Sequence, residues 1–197
     1  MNALADEKSR TIEENQFLEA ELGLAKNPSL YFVFDFKEKN IYLKARGRAF
    51  KEWPMRKVRF WGNPVQIKAY SLISKSALFA PKRKTIKPGQ GEEKDNFELE
   101  VLELKDMPSS YALSIEEDII IYIGPSNRGF KAILKNIGRS IRWYTFPPLK
   151  TLWFSLKKKK SYTAIDIMLA DEKEARSLYW AFLDGLKGLI YRPRNNY

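Results

Sequence analysis

The chain has 197 residues, 44% of them hydrophobic, 14% aromatic and 30% charged, with a net charge of +11. Such a length suits about one domain, and the composition is too apolar for a disordered chain. There is no Cys and no His, which excludes disulfides, Cys or His metal ligands, a thiol nucleophile, a Ser-His-Asp relay and an imidazole base.

Thr11-Ile12-Glu13-Glu14 has the form of a capping box, in which hydroxyl and carboxylate satisfy early helical amides. Leu18 and Leu22 lie four apart, on one helical face, and Gly23 suits the position after a helix end. The pattern predicts a helix over about 11–22, within an N-terminal helical segment of residues 1–29. Asn27-Pro28 then breaks the chain. Residues 30–197 read as a single β-rich domain. Leu30–Phe36 and Ile41–Ala45 flank the polar Lys37-Glu38-Lys39-Asn40, a hairpin signal.

Further strands are predicted at Ala49–Trp53, Arg56–Trp61, Gln66–Ser71, Phe97–Leu104, Tyr111–Ile115 and Ile119–Ile123. Gly47, Pro54, Gly62-Asn63-Pro64 and Pro108 punctuate them as turns. Ile119–Ile123 is continuously apolar, as in a strand covered on both faces. Residues 81–96 read as a mobile surface loop, and Phe130–Ile137 as a short helix stopped by Gly138. Near the end, Asp171 caps a helix with Glu172 and Glu174 in its first turn, where the dipole favours negative charge. Ala175, Leu178, Tyr179, Phe182 and Leu183 form its apolar stripe, and Gly185 ends it. Leu189-Ile190-Tyr191 is the last strand. The expected fold is therefore β-rich α+β: a β-sandwich or partly closed barrel, with an N-terminal helix and a C-terminal amphipathic helix.

Charge is distributed in blocks. Residues 1–36 carry −4, 37–88 carry +13, 92–118 carry −8, and 128–160 carry +10. Unlike blocks can lie together and cancel, whereas two basic blocks on one face would attract an anionic partner. The candidate anion-binding residues are Lys82, Arg83, Lys84, Arg139, Arg142, Lys157, Lys158, Lys159 and Lys160. The four consecutive lysines also read as a solvated hairpin tip. Asp35, inside the apolar run Tyr31–Phe36, is either a functional buried carboxylate or a residue that faces solvent or an Arg. Glu116-Glu117-Asp118 is a turn rather than a spaced calcium loop, and residues 124–129 lack the glycine pattern of a phosphate loop and read as a turn. Trp61 beside Arg59 and Trp143 beside Arg142 could stack on bases or sugars, but the chain has no nucleic-acid recognition motif. No metal site and no cofactor is expected. No run of eighteen apolar residues and no basic segment leading an apolar one is visible.

Ser161–Met168, the helix from Asp171 to Phe182, Gly185 and Leu189–Tyr191 together resemble the end of an L,D-transpeptidase catalytic domain, the family that cross-links bacterial cell-wall peptides. The family signature is Ser-His-Gly-Cys-Ile-Arg-Met. Ser161 would hold the Ser place, Ala164 the Cys place, and Asp166 would stand where Arg is expected. Ile123-Gly124 would hold the place of the family's His-Gly, and Tyr31–Lys51 resembles its opening hairpin. The resemblance touches most of residues 30–191, with about twice the usual spacing between Gly124 and Ser161. It implies a degenerate site of Ile123, Gly124, Ser161, Ala164 and Asp166 without nucleophile or base. The expectation is a non-catalytic binding or scaffold module of the bacterial envelope, meeting cell-wall polymer or anionic lipid. It would be periplasmic if a signal peptide has been trimmed, and cytoplasmic otherwise. The alternatives are a cytoplasmic binder of nucleic acid or another polyanion, and an enzyme using converging carboxylates.

Overall fold

A computed structural model describes residues 2–77, 104–126 and 163–193. Eight strands form a closed barrel in the order β1-β2-β3-β7-β6-β5-β4-β8. They are β1 Tyr31–Asp35, β2 Asn40–Ala45, β3 Arg48–Gly62, β4 Ala69–Ser76, β5 Tyr111–Ile115, β6 Ile119–Pro125, β7 Thr163–Leu169 and β8 Lys187–Tyr191. Helix α1 spans Asn2–Ala25, helix α2 spans Glu172–Ala181, and a short 3-10 turn occupies Leu104–Asp106. The β-rich α+β class and both terminal helices are as expected. The sheet closes on itself, so the expected partly closed barrel fits, with closure complete, and the sandwich fits less well. Closure comes from β8, which pairs parallel with β1 and antiparallel with β4. A second parallel pair joins β6 to β7.

The interior follows strand alternation. Phe32 and Phe34 of β1, Ile41 of β2, Trp53 of β3, Leu113 of β5, Ile119, Ile121 and Ile123 of β6, and Ile165 and Ile167 of β7 belong to one buried cluster. Helix α2 lies across one mouth and completes it. Its Phe182 ring stands 4.0 Å from Phe32, and its Tyr179 ring 4.9 Å from Tyr111. The Trp53 indole donates to Ser177 Oγ at 2.7 Å, and the buried Tyr111 hydroxyl donates to the Ala175 carbonyl at 3.1 Å. Burial pushes the Tyr111 hydroxyl well above its ordinary pKa. Asp171 caps α2 as expected, accepting the Glu174 amide at 2.9 Å. Lys75 of β4 donates to the Tyr179 carbonyl at 3.1 Å, a cation at the negative end of the helix. Leu183 of the expected stripe is exposed rather than packed. An interior recess lined by Phe32, Tyr70, Leu113 and Gly188 amounts to about 20 Å³, room for about one water in apolar walls.

Helix α1 covers the outer face of β8, β1 and β2. Phe17 and Leu24 pack on Tyr31, Val33, Leu189 and Tyr191, and the Phe17 and Tyr191 rings stack at 4.4 Å. This explains the unbroken apolar run of β1, since both of its faces are covered. The helix is longer than expected. Thr11 is internal and donates back to the Glu7 carbonyl at 3.0 Å instead of capping. Gly23 also lies inside the helix, and Leu18 and Leu22 are 58% and 59% exposed.

Pro54, expected in a turn, lies within the 15-residue strand β3. Pairing with β2 begins at Pro54 opposite Asn40, and pairing with β7 begins at Met55. The proline thus sits where the strand changes partners and a missing N–H costs least. Arg46 and Gly47, both at positive φ, turn β2 into β3, the conformation of a two-residue hairpin loop. β4 begins at Ala69, later than the expected strand, and β6 runs on through Gly124 and Pro125, where a turn was expected. The expected strand 97–104 (apart from Leu104), loop 81–96 and helix 130–137 lie outside the described residues.

Candidate functional site

The resemblance grouped Ile123, Gly124, Ala164 and Asp166, with Ser161 outside the described residues. The structure sets them on adjacent strands but does not bring them together as a pocket. Ile123 pairs with Ile167, while Ala164 pairs with Ile120. Three residues of offset amount to about 10 Å along the strand. Ile123 belongs to the interior cluster, whereas Ala164 packs with Ile120 and Tyr122 on the other face of the sheet. A side chain at 123 and one at 164 therefore have the sheet between them. Gly124 pairs with Met168 and is buried within β6.

Asp166 lies two residues from Ala164, on the same outer face of β7. It is 2% exposed, and Arg59 of β3 donates to its Oδ2 from Nε at 3.0 Å and Nη2 at 2.6 Å. The cross-strand register Arg59–Asp166–Tyr122 places this pair beside the row Trp61–Ala164–Ile120. Two charge-assisted bonds hold the carboxylate in place.

Asp35, the other buried carboxylate of the apolar strands, is a turn residue. The Lys37 and Glu38 amides donate to its Oδ1 at 2.9 and 3.0 Å, closing the β1–β2 loop. Burial raises its pKa, and the two amide bonds oppose that shift. Glu116, Glu117 and Asp118 also form a turn: Glu116 accepts the Ser71 amide at 2.8 Å, and Glu117 pairs with Lys68. Among the described residues no group of acidic side chains could hold a metal ion.

The acidic and basic blocks meet, as unlike charges should. Glu14 and Glu21 of α1 pair with Lys37 and with Lys44, the latter at 2.6 Å. The Tyr31 hydroxyl also donates to Glu21, at 3.3 Å, and its pKa is pushed up to about 12 by burial first and the Glu21 charge second. The pairs formed by Lys37, Lys44, Arg59 and Lys68 use part of the +13 block.

What remains is ordered along the β2–β3 ribbon. Arg46 and Arg48 are exposed at its turn. At its other end the Met55 amide donates to the Lys39 carbonyl at 2.7 Å, bringing the β1–β2 loop against the bulge in β3. Lys39, Arg56 and Lys57 are exposed there together. Among the described residues none of these five cations has an acidic partner. The eight residues from Arg48 to Arg56 separate the two groups by about 26 Å. Glu52 is the one acidic side chain of β3 between them.

The sequence marked the basic block but not these residues, because strand pairing decides which lysines and arginines are used internally. Lys82, Arg83, Lys84, Arg139, Arg142, Lys157, Lys158, Lys159 and Lys160 lie outside the described residues. No helix among the described residues is long and apolar enough to cross a membrane. No protein-family model, curated protein or solved structure matches the chain.

Proposed function

We propose that the protein is a non-catalytic binding module that holds an anionic polymer of the bacterial cell envelope along the β2–β3 ribbon. The observation that carries this reading is the row Arg46, Arg48, Lys39, Arg56 and Lys57: exposed cations without acidic partners among the described residues, in two groups about 26 Å apart. A small anion would occupy one group only. A polymer with repeated charges engages both and releases its counterions, which favours binding at low salt.

The L,D-transpeptidase resemblance supports the compartment through element order alone: opening hairpin, β6, β7, α2, Gly185 and β8. It does not extend to a shared pocket, because Ile123 and Ala164 face opposite sides of the sheet. Their hydrocarbon side chains can neither attack a carbonyl nor carry a proton.

The test is co-sedimentation with purified peptidoglycan sacculi that retain their anionic polymers. The protein is expected to pellet at low salt and to be released as salt rises. A variant with Arg46, Arg48, Arg56 and Lys57 all changed to Gln should lose about tenfold or more in affinity, since each exposed contact contributes a fraction of a kcal/mol or more. No pelleting at low salt, or equal pelleting of the variant, overturns the reading. Tighter binding to duplex DNA than to sacculi in a parallel gel shift overturns the envelope assignment in favour of nucleic acid.

A further inference from the structure

Pairing between β4 and β8 covers only three residues of β4 and ends at Ala69 opposite Leu189. Upstream of Ala69, residues 64–68 belong to no strand. They form one wall of a groove of about 890 Å³, with α1 as the other wall. This volume lies within the range of roughly 300–1,000 Å³ typical of ligand sites. Ala20, Leu24, Val65 and Ile67 give the groove an apolar strip, and the rest of its lining is polar or charged.

Its length can be measured on both sides. Lys187 to Arg192 on the barrel side is five residues of extended chain, about 16 Å. Glu13 to Gly23 on the helix side is ten residues, about 15 Å. An extended peptide of five residues has the same length. The walls also differ in charge. Glu19 on α1 and Lys187 on β8 line the groove, and neither has a charged partner among the described residues.

From this arrangement we infer that the groove between α1 and the β4–β8 seam binds a short extended segment of a partner protein. The segment carries a cation for Glu19 and a carboxylate for Lys187. Apolar side chains between them cover Ala20, Leu24 and Ile67. The site is separate from the cationic ribbon, and the inference does not rest on the envelope reading.

Gly23 supplies the test, because it lines the groove and a Cβ added there meets no atom within 4 Å. Gly23→Trp therefore starts its side chain in open space beside the groove, and unchanged circular dichroism with an undiminished melting temperature would show that the fold is intact. The probe is a phage-displayed library of random heptapeptides, selected on the full chain and in parallel on Gly23→Trp. Peptides bearing both charges should be enriched on the wild type and not on the variant. The best peptide, made synthetically and labelled, should bind about tenfold more weakly to Glu19→Lys or Lys187→Glu, both exposed substitutions. Equal enrichment on Gly23→Trp, selection of uniformly acidic peptides, or affinity indifferent to both charge reversals overturns the inference. Binding of Gly23→Trp to sacculi should equal that of the wild type, so failure here leaves the polymer reading intact.

Discussion

Adding one methyl group to each of two glycines should move stability in opposite directions, and the reason lies in what each methyl would meet. Gly188 pairs with Phe32 across the parallel β1–β8 ladder. A Cβ there would stand 3.3 Å from the Phe32 carbonyl oxygen and 3.6 Å from its Cβ. That carbonyl has little room to move: Phe32 is also paired with Leu43 on β2, and its ring is packed 4.0 Å from Phe182 and 6.2 Å from Trp53. Replacing glycine by alanine gains about 0.4–1 kcal/mol by restricting the unfolded chain. Overpacking a fixed core costs about 1–3 kcal/mol. The net expectation for Gly188→Ala is a loss of about 1 kcal/mol. Gly23 is a helical residue with open space around its missing side chain. There, Gly23→Ala meets no such opposition and should gain about 0.8–1 kcal/mol from helix propensity. The pair should thus differ by about 2 kcal/mol. Urea unfolding followed by tryptophan fluorescence measures both, provided the slope with denaturant is unchanged. A Gly188→Ala variant at least as stable as the wild type would refute the packing argument; a destabilised Gly23→Ala would refute the assignment of Gly23 to a helix interior with space beside it.

Asp171→Ala removes the acceptor for the Glu174 amide and should cost about 1 kcal/mol in the same assay; no loss would mean that α2 does not depend on its cap. Tyr31→Phe should flatten the alkaline limb of stability. The Tyr31 hydroxyl rises from 10.0 in the unfolded reference to about 12 in the fold, so its contribution is complete below pH 10 and is lost as pH climbs through about 12. Phenylalanine has no proton to lose, and parallel stability curves for the two proteins between pH 9 and 11.5 would refute this account.

The parts of the fold legible in the sequence are those governed by local chemistry. Asp171 with two early glutamates and an i, i+3, i+4 stripe could hardly be anything but the start of a helix, and α2 follows that reading except for Leu183. The hairpins at β1–β2 and β5–β6 were likewise visible from apolar runs around polar turns. Helix α1 was misread because the capping box at Thr11 describes a possible beginning, while the chain already has helical conformation upstream. Leu18 and Leu22 misled in the same way. The barrel is instead gripped by Phe17 and Leu24, a choice set by where Tyr31, Val33 and Tyr191 lie. Closure could not be read at all: β1 and β8 meet across some 150 residues of chain, and their pairing, Tyr31 opposite Lys187, together with that of β8 and β4 makes a barrel of the sheet. The same limit applied to the proposed vestigial residues. Sequence spacing placed Ile123 and Ala164 on strands, but a strand residue's face depends on register, and here the two point apart.

Register also explains why binding is assigned to the surface of this barrel. The interior is occupied by aromatic and branched side chains, and α2 closes one mouth with Leu178 and Phe182. The recess among the described interior residues is about 20 Å³, far below what an organic ligand needs. Outside, α1 does two things at once. It covers the apolar outer face of β8, β1 and β2 with Phe17 and Leu24, and it brings Glu14 and Glu21 to Lys37 and Lys44. The basic block is neutralised in part: Arg59 by Asp166, Lys68 by Glu117, and Lys37 and Lys44 within reach of the helix. Beyond that reach, Lys39, Arg56 and Lys57 at one end and Arg46 and Arg48 at the other keep their charge toward solvent. Exposed lysines and arginines scattered over the barrel would express solubility alone. Two exposed cationic groups along one ribbon, at the border of an acidic helix that cancels their neighbours, give the positive field there a direction and a length, and the proposal of a chain-like anion rests on that arrangement.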